Sequence, residues 1–370
     1  MKDLISFYPC QMEIAYTEKC NQVCDYCWVN KSSAKILDFK SIQRAIDIFL
    51  DFPLERQTIT FTTSEPLIYP DLYQKVVDYV LSKDSGKRIT MITTTNGMLL
   101  TGRVRDFILE RLNDRFILNI SLDGKQKSYD AHRRIKGVPE RSAFQASWKN
   151  FAELPRDKAR VIFTITPSEI NCFRDNMNFI LEEGFRKIDL FAQMFTFWPV
   201  LALRKLKEGL SRLIKYLDQN SGFGYDIRLL NRLWGSSDYA KMLLASDGRF
   251  YLFEWVLALP VSMRARYAIG GPKGGVDLAK RAALFDNLLS ESGNKHRNLC
   301  AKCGHGGVCS WPLPIFLWSK YKKKNHFRYL RNFCLLAGIF IEASSRIKHS
   351  FNNELDALRL SRGVNRKPRW

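Results

Sequence analysis

The sequence lacks the segments that would carry it into or across a membrane. No apolar run reaches the roughly 20 residues that a membrane-spanning helix needs, and residues 1–19 hold no apolar core with a cleavage site, so we expect a cytoplasmic protein. Disulfides are not indicated either. The nine cysteines are an odd number and six of them fall in two tight groups, which favours metal binding in a chain without an export signal.

Acidic residues are also scarce. The chain has 58 Lys and Arg against 37 Asp and Glu, a net charge of +21. Such a surface suits an acidic partner such as nucleic acid, anionic lipid or an acidic peptide, although a merely basic soluble enzyme is an equal alternative. A phosphate-binding loop is missing, because the glycine-rich residues 270–275 lack the required spacing and the Lys-Ser/Thr pair, and we interpret them as a turn.

Three cysteines near the start carry the strongest chemical signal. Cys20, Cys24 and Cys27 follow a C-x3-C-x2-C spacing, and the aromatic Tyr26 precedes the third. Three thiolates can hold a [4Fe–4S] cluster and leave its fourth iron open for chemistry. The spacing alone also allows a structural zinc site that lacks a ligand, or three unrelated thiols.

Short apolar segments alternate with helical patterns through the first half of the chain. The predicted strands cover residues 12–16, 57–62, 88–94, 115–121, 160–166 and 187–191, and the predicted helices cover residues 39–52, 69–81, 103–112, 143–154 and 174–183. This alternation indicates βαβ units and a parallel sheet, in an α/β fold that is either doubly wound or a full or partial barrel. In each case active residues gather at the carboxyl ends of the strands.

Small polar residues follow the predicted strands. The cysteines come after the first strand, and residues 63–67, 94–97 and 121–124 come after the next three. One such turn is common, whereas four at one sheet edge favour a binding site for a zwitterionic cofactor with hydroxyl groups. Carboxylates suit its ammonium group, Ser and Asp suit a ribose, and Arg suits a carboxylate.

With these motifs in place, residues 8–195 resemble the radical S-adenosylmethionine (SAM) enzymes. The resemblance lies in the three cysteines, in residues 59–67 at the family's Gly-Gly-Glu-Pro region, in residues 95–97 and 120–124, and in residues 129–133. It implies a partial (β/α)6 TIM-type barrel and a [4Fe–4S] cluster that receives an electron from a flavodoxin- or ferredoxin-like donor. The cluster would cleave SAM to a 5′-deoxyadenosyl radical, which takes hydrogen from a substrate.

The resemblance also implies residue roles. Cys20, Cys24 and Cys27 would ligate the cluster, and Asn96 would belong to the cofactor-binding set. The rest of that set would be Tyr26 at the adenine, Thr63, Ser64 and Glu65 at the ammonium, Ser121 and Asp123 near the ribose and carboxylate, and Arg133 (or Arg134) on the carboxylate. Thr63 and Ser64 replace two glycines of the family motif, so we expect their side chains to point away from the cofactor. His132 is expected at the surface.

A second cysteine group lies near the C-terminus. Cys300, Cys303 and Cys309 resemble the SPASM/twitch module of radical SAM enzymes, which carries auxiliary clusters. Two usual ligand positions are Phe253 and Leu313 here, so at most one auxiliary [4Fe–4S] cluster is expected. Its fourth ligand would be Cys334, His305, a substrate group or none. Zinc bound with His305 and a metal-free remnant are the alternatives.

These features divide the chain into four segments, of which the last is a basic tail. We expect a barrel in residues 1–200, a bridging helical and strand region in 201–295, the cysteine module in 296–315 and a basic amphipathic tail in 316–370, with a basic helix over residues 203–218. The cluster at residues 320–324 beside apolar residues suits an anionic membrane surface, which would make the protein peripheral at the inner membrane face. A docked helix with a solvated basic face is the alternative.

The leading function is a radical SAM enzyme that modifies a peptide or protein. Only 19 residues precede Cys20, so no N-terminal peptide-recognition domain is expected. The second hypothesis is a radical SAM enzyme acting on a small molecule or an envelope glycan or lipid precursor. A non-enzymatic iron–sulfur regulatory protein is the third, and a nucleic-acid partner is not expected.

Overall fold

The computed structural model of the protein describes residues 8–31, 33–84, 89–220, 222, 224–229, 240–300 and 326–346. The strands are β1 (Gln11–Ala15), β2 (Gln22–Cys24), β3 (Gln57–Phe61), β4 (Ile89–Thr95), β5 (Phe116–Ser121), β6 (Arg133–Ile135), β7 (Arg160–Ile165), β8 (Lys187–Ala192), β9 (Asp226–Leu229), β10 (Lys241–Ala245), β11 (Phe250–Tyr251), β12 (Ala268–Gly271) and β13 (Gly275–Val276). The α-helices are α1 (Phe39–Leu50), α2 (Pro70–Lys83), α3 (Gly102–Leu109), α4 (Gln126–His132), α5 (Ala143–Phe151), α6 (Phe173–Glu182), α7 (Val200–Gln219), α8 (Val261–Arg264), α9 (Leu278–Cys300) and α10 (His326–Arg346).

One large sheet organises these elements. Its order is β13-β12-β11-β10-β1-β3-β4-β5-β7-β8-β9, and every pairing from β10 to β9 is parallel. The six predicted strands are its centre, in chain order, with helices between them. The predicted α/β fold, a partial (β/α)6 barrel of the TIM type, is therefore confirmed.

The central strands are apolar because a parallel sheet is covered by helices on its faces. Met12 and Ile14 of β1 are buried, as are Leu118 and Ile120 of β5. The helices present matching stripes. In α1, Ile42, Ala45, Ile46 and Phe49 are buried, and the side chain of Asp38 caps the first turn through the Ser41 amide at 2.9 Å.

The second half extends the same sheet at both edges. Strand β10 pairs with β1 over five residues, from Gln11 opposite Lys241 to Ala15 opposite Ala245. Strand β9 pairs with β8 at the other edge. The glycine-rich residues 270–275 form the tight turn between β12 and β13, as predicted. The region after residue 200 thus shares the barrel's sheet, and the four-segment division stays a prediction.

Helix α10 docks on the body of the protein. Asn332 exchanges hydrogen bonds with the backbone of Trp198, accepting from its N–H at 2.7 Å and donating to its carbonyl oxygen at 2.6 Å. Phe333, Leu336 and Phe340 are buried. This part of the tail is a docked helix, the second of the two alternatives, while residues 320–324 lie outside the described residues.

Among the described residues, no helix is both long and apolar enough to cross a membrane.

Candidate functional site

The cysteine loop, residues 16–31, leaves the carboxyl end of β1 at the centre of the sheet. Strand β2 lies within this loop and pairs antiparallel with β6, with Cys24 opposite Arg133. A tight turn follows, in which the Cys27 amide donates to the Cys24 carbonyl at 3.1 Å. The loop thereby brings Cys20, Cys24 and Cys27 together, each partly buried and each within electrostatic range of another.

The three thiols suit a four-iron cluster better than a single ion. No group of three or more His, Cys, Asp or Glu is arranged to hold a metal ion within the part of the chain that the structure describes. A four-iron cube spreads three cysteine ligands farther apart than one tetrahedral zinc does. Burial raises the pKa of Cys24 to about 12 and also raises the pKa of Cys20, as expected for thiols whose charged form needs iron or another cation beside it.

Lys31 supplies such a cation, and sequence reasoning missed it because it belongs to no motif. Its ammonium group donates to the Gln22 carbonyl at 3.0 Å, between the first two cysteines. Burial lowers the pKa of Lys31, but the charges of Cys27, Cys20 and Cys24 and a hydrogen bond with Cys27 outweigh burial and raise it. A positive charge therefore lies beside all three candidate ligands.

Glu13 of β1 shapes the turn after β3. Its buried carboxylate accepts from the amides of Thr62 and Thr63 at 2.8 and 2.7 Å, and from the hydroxyls of Thr60, Thr62 and Thr63. Burial raises its pKa, and these hydrogen bonds only partly offset burial. The hydroxyl of Thr63 thus bonds Glu13, and sequence reasoning missed this carboxylate because it lies inside an apolar strand.

Ser64 retains the backbone conformation that glycine would adopt. Its φ is 66°, one of two positive values at non-glycine residues in the described chain. Its hydroxyl is buried and has no hydrogen-bond partner among the described residues. A polar atom left in this position is a donor or acceptor available to a bound group.

Glu65 is fully buried beside Ser64. One carboxylate oxygen accepts from the Leu67 amide at 3.0 Å and the Thr95 hydroxyl at 2.9 Å, and the other accepts from the Asn96 amide at 2.9 Å. Burial raises its pKa to about 7 against these hydrogen bonds. Glu65 therefore joins the turns after β3 and β4, next to the place where the ammonium group of SAM is expected.

Asn96 connects the turn after β4 to the cysteine loop. Its amide group donates to Asn21 at 2.6 Å and lies 3.8 Å from the Cys20 sulfur. Gly97 has a φ of 82°, and a Cβ there would meet the Phe151 ring at 2.1 Å, so a side chain is excluded.

Asp123 and Arg133 form a buried ion pair. The guanidinium contacts both carboxylate oxygens, at 2.7 and 3.3 Å, and the Thr164 amide and the Tyr26 hydroxyl donate to the same carboxylate. Arg133 also lies 5.3 Å from the Tyr26 ring. The structure thus joins three predicted site residues, while Ser121 is half-buried at the end of β5.

The prediction that His132 lies at the surface is wrong. The side chain is buried, with one ring nitrogen 2.8 Å from Asp25 and the other 3.0 Å from the Thr166 hydroxyl. It ends α4, which the sequence did not predict, and it holds Asp25 within the cysteine loop. Of the two arginines considered for the SAM carboxylate, Arg133 is buried and Arg134 is exposed.

Three aromatic residues flank the loop beyond Cys27. Trp28 packs on Trp255 with ring centroids 4.6 Å apart, and Phe195 meets Trp255 edge-on at 5.8 Å. Phe195 has a φ of 59°, an unusual value for an aromatic residue, and the Trp255 indole N–H is buried with no partner in the described residues.

The second cysteine group lies outside the described residues. This applies to Cys303, Cys309, His305 and Leu313, and the side chain of Cys300 is likewise not described. Phe253 is buried in the core. The auxiliary site stays a prediction.

Comparisons with known proteins agree with this geometry. Residues 14–166 match the model of the Radical SAM superfamily. The chain is 37% identical over 109 residues to an uncharacterised protein of Methanocaldococcus jannaschii, and 24% identical over 168 residues to one of Methanothermobacter thermautotrophicus. These matches cover 29% and 45% of this chain, and 36% and 61% of the relatives, so the chain spans less than two thirds of either relative's length.

The fold is similar to that of solved structures over most of the chain. The structure of anSMEcpe with bound AdoMet and Cp18Cys peptide has a TM-score of 0.65 and 16% identity, covering 92% of this chain and all of that one. Streptococcus suis SuiB bound to precursor peptide SuiA has a TM-score of 0.58 and 15% identity, covering 82% of this chain and 71% of that one. The solved structures thus share the fold of this chain, and the match to the Radical SAM superfamily covers the segment that holds Cys20, Cys24 and Cys27.

Proposed function

We propose that this protein cleaves SAM reductively and uses the resulting radical to modify a peptide or protein. A [4Fe–4S] cluster held by Cys20, Cys24 and Cys27 would supply the electron that splits the C5′–S bond of SAM, giving methionine and a 5′-deoxyadenosyl radical that takes a hydrogen atom from the substrate. The three thiols at the carboxyl edge of a partial barrel are the observation that carries the first part of this proposal.

The surrounding residues would bind and orient SAM. Glu65 lies at the turn where the ammonium group is expected, and Asn96 lies against Cys20. Arg133 is paired with Asp123, so the two would act as one unit near the ribose and carboxylate, with Tyr26 beside them at the adenine.

Peptide substrates are supported by the whole-chain likeness to two proteins whose structures hold peptides, anSMEcpe and SuiB. The excess of 58 basic over 37 acidic residues suits an acidic peptide. Trp28 follows Cys27 directly, and Trp28 and Phe195 are partly exposed where they pack on the buried Trp255, so these two rings would offer an apolar contact to such a substrate.

The first test is SAM cleavage by anaerobically reconstituted, reduced protein. We expect 5′-deoxyadenosine from the natural sequence and none from Cys24→Ala, because the cluster loses a ligand. Cys172→Ala is the matched control, since this partly buried thiol lies outside the cysteine loop. Retained activity in Cys24→Ala would rule out the assignment.

The substrate class needs a second experiment. Peptide and small-molecule fractions of the producing cells are added separately, and the rate of 5′-deoxyadenosine formation is measured. Stimulation by the peptide fraction, with a mass shift in one peptide, is expected. Stimulation by the small-molecule fraction alone would favour the glycan, lipid-precursor or small-molecule hypothesis.

A further inference from the structure

We infer that Arg264 is a positioning residue that fastens both ends of the cysteine loop to the second half of the chain. The inference rests on the proposed function only in that the loop is taken to hold the cluster. Arg264 is 1% exposed and Glu18 is fully buried, although the two are 246 residues apart.

A single guanidinium reaches both stems of the loop. It contacts the Glu18 carboxylate with two nitrogens, at 2.5 and 3.1 Å, two residues before Cys20. One of these nitrogens also donates to the Asn30 carbonyl at 2.9 Å, three residues after Cys27. All three candidate ligands therefore lie in the segment between the two points that Arg264 holds.

Backbone carbonyls of the second half hold the arginine in place. Its Nε donates to the Leu259 carbonyl at 2.8 Å, and the nitrogen that bonds Asn30 also lies 3.2 Å from the Leu257 carbonyl oxygen. The Leu257 carbonyl also accepts from the Asn30 amide at 2.8 Å, which ties the outgoing stem by a second bond. A planar group with five donors in fixed directions can satisfy this set, whereas a lysine cannot.

A further contact comes from the end of β10. The Ser246 hydroxyl donates to Glu18 at 3.0 Å and lies 3.0 Å from the Ser33 hydroxyl. Strand β10 pairs with β1, from which the loop leaves. The second half thus positions the loop although none of its described residues contributes a thiol to it. Without Arg264 the stems keep β2 and the Asn30–Leu257 bond, and we expect them to open more often.

The test compares two matched double variants. Glu18→Gln/Arg264→Met removes the Glu18–Arg264 ion pair, which we call the clamp, and leaves no buried unpaired charge. Arg160→Met/Asp189→Asn removes another buried pair, joined at 2.8 Å at the amino ends of β7 and β8, far from the loop, and Asp226 keeps its partner Arg228. Both are reconstituted as holoprotein, and iron loss to a chelator, the EPR spectrum of the reduced cluster with and without SAM, and thermal unfolding are measured.

We expect the clamp variant to lose iron at least tenfold faster than the control variant and to give a heterogeneous EPR spectrum. Arg264→Lys should fall between it and the natural protein. Equal rates and identical spectra in the two double variants would overturn the inference. Hydrogen exchange of the amides in residues 19–31 tests the role of the clamp in protein without iron. Faster exchange in the clamp variant alone supports the inference, and equal exchange in the two double variants refutes it. Failure of the natural protein to bind iron would instead refute the proposed function.

Discussion

At the scale of single residues, Glu65 links the site to pH. Burial raises its pKa to about 7 from an ordinary 4.5, so the folded protein keeps a proton between these values that the unfolded chain has released. The stability that Glu65 contributes is therefore fully present below pH 4.5 and is lost as the pH rises to 7. The loss amounts to about 3 kcal/mol, at about 1.4 kcal/mol per pH unit.

The check is the free energy of unfolding of iron-free protein between pH 5 and pH 8. Glu65→Gln cannot titrate, so the difference between the natural protein and this variant should fall by about 2 to 3 kcal/mol over that range. A difference that stays constant with pH would contradict the raised pKa.

Lys31 provides the second prediction at this scale. A cation beside a cluster favours the reduced form, which carries one more negative charge, so Lys31→Met should lower the midpoint potential by on the order of 50 mV. Lys19→Met is the matched control, because Lys19 is exposed and bonds the Tyr69 hydroxyl at 2.9 Å. EPR-monitored redox titration measures the midpoint potential of both variants. Equal shifts in the potential would show that Lys31 does not lie beside the cluster.

Residues were predictable where a motif fixed their spacing. The three cysteines, Asn96 and Asp123 follow strands with recognisable patterns, and the structure brings them to one edge. Lys31, Glu13 and Arg264 carry no motif, because each acts through a tertiary contact. Arg264 meets Glu18 from 246 positions away, a pairing that no local pattern reveals.

At the scale of elements, the sequence pattern predicted the central strands and their helices to within a few residues, because the strands are short apolar runs and the helices carry apolar stripes of period 3.6. Several elements at the site were missed, among them α4 and two short strands. Strands β2 and β6 have three residues each and exist through their mutual pairing rather than any propensity. Strand β10 was missed because five residues after a polar stretch cannot be distinguished from a short buried helix by pattern.

The turn after β3 depends on Glu13, which gives the third prediction. Glu13→Gln puts an amide donor among five donors, so it should destabilise the protein by about 2 to 4 kcal/mol and impair SAM binding at the turn. Glu110→Gln is the control, because Glu110 is mostly exposed and its change should cost less than about 0.5 kcal/mol. Chemical denaturation measures both, and similar costs would show that Glu13 does not organise the turn.

At the scale of the whole molecule, the sheet joins the two halves that composition and motifs separated. The predicted boundary at residue 200 follows the end of the family motifs, yet β9 and β10 add to the outer strands of the barrel. Sequence patterns could not place these strands, because their partners are the first and last strands of the barrel. Positioning of the cysteine loop is therefore a property of the whole chain.

The second cysteine group is the last whole-molecule question, and iron counting decides it. Cys20→Ala/Cys24→Ala/Cys27→Ala removes all ligands of the first cluster, so any iron left after reconstitution belongs elsewhere. About four irons and four sulfides per chain are expected if Cys300, Cys303 and Cys309 hold an auxiliary [4Fe–4S] cluster. Adding Cys303→Ala to this variant should then remove them. If the triple-alanine protein binds no iron, the second cysteine group holds zinc or no metal. A zinc assay of the same sample distinguishes these two alternatives.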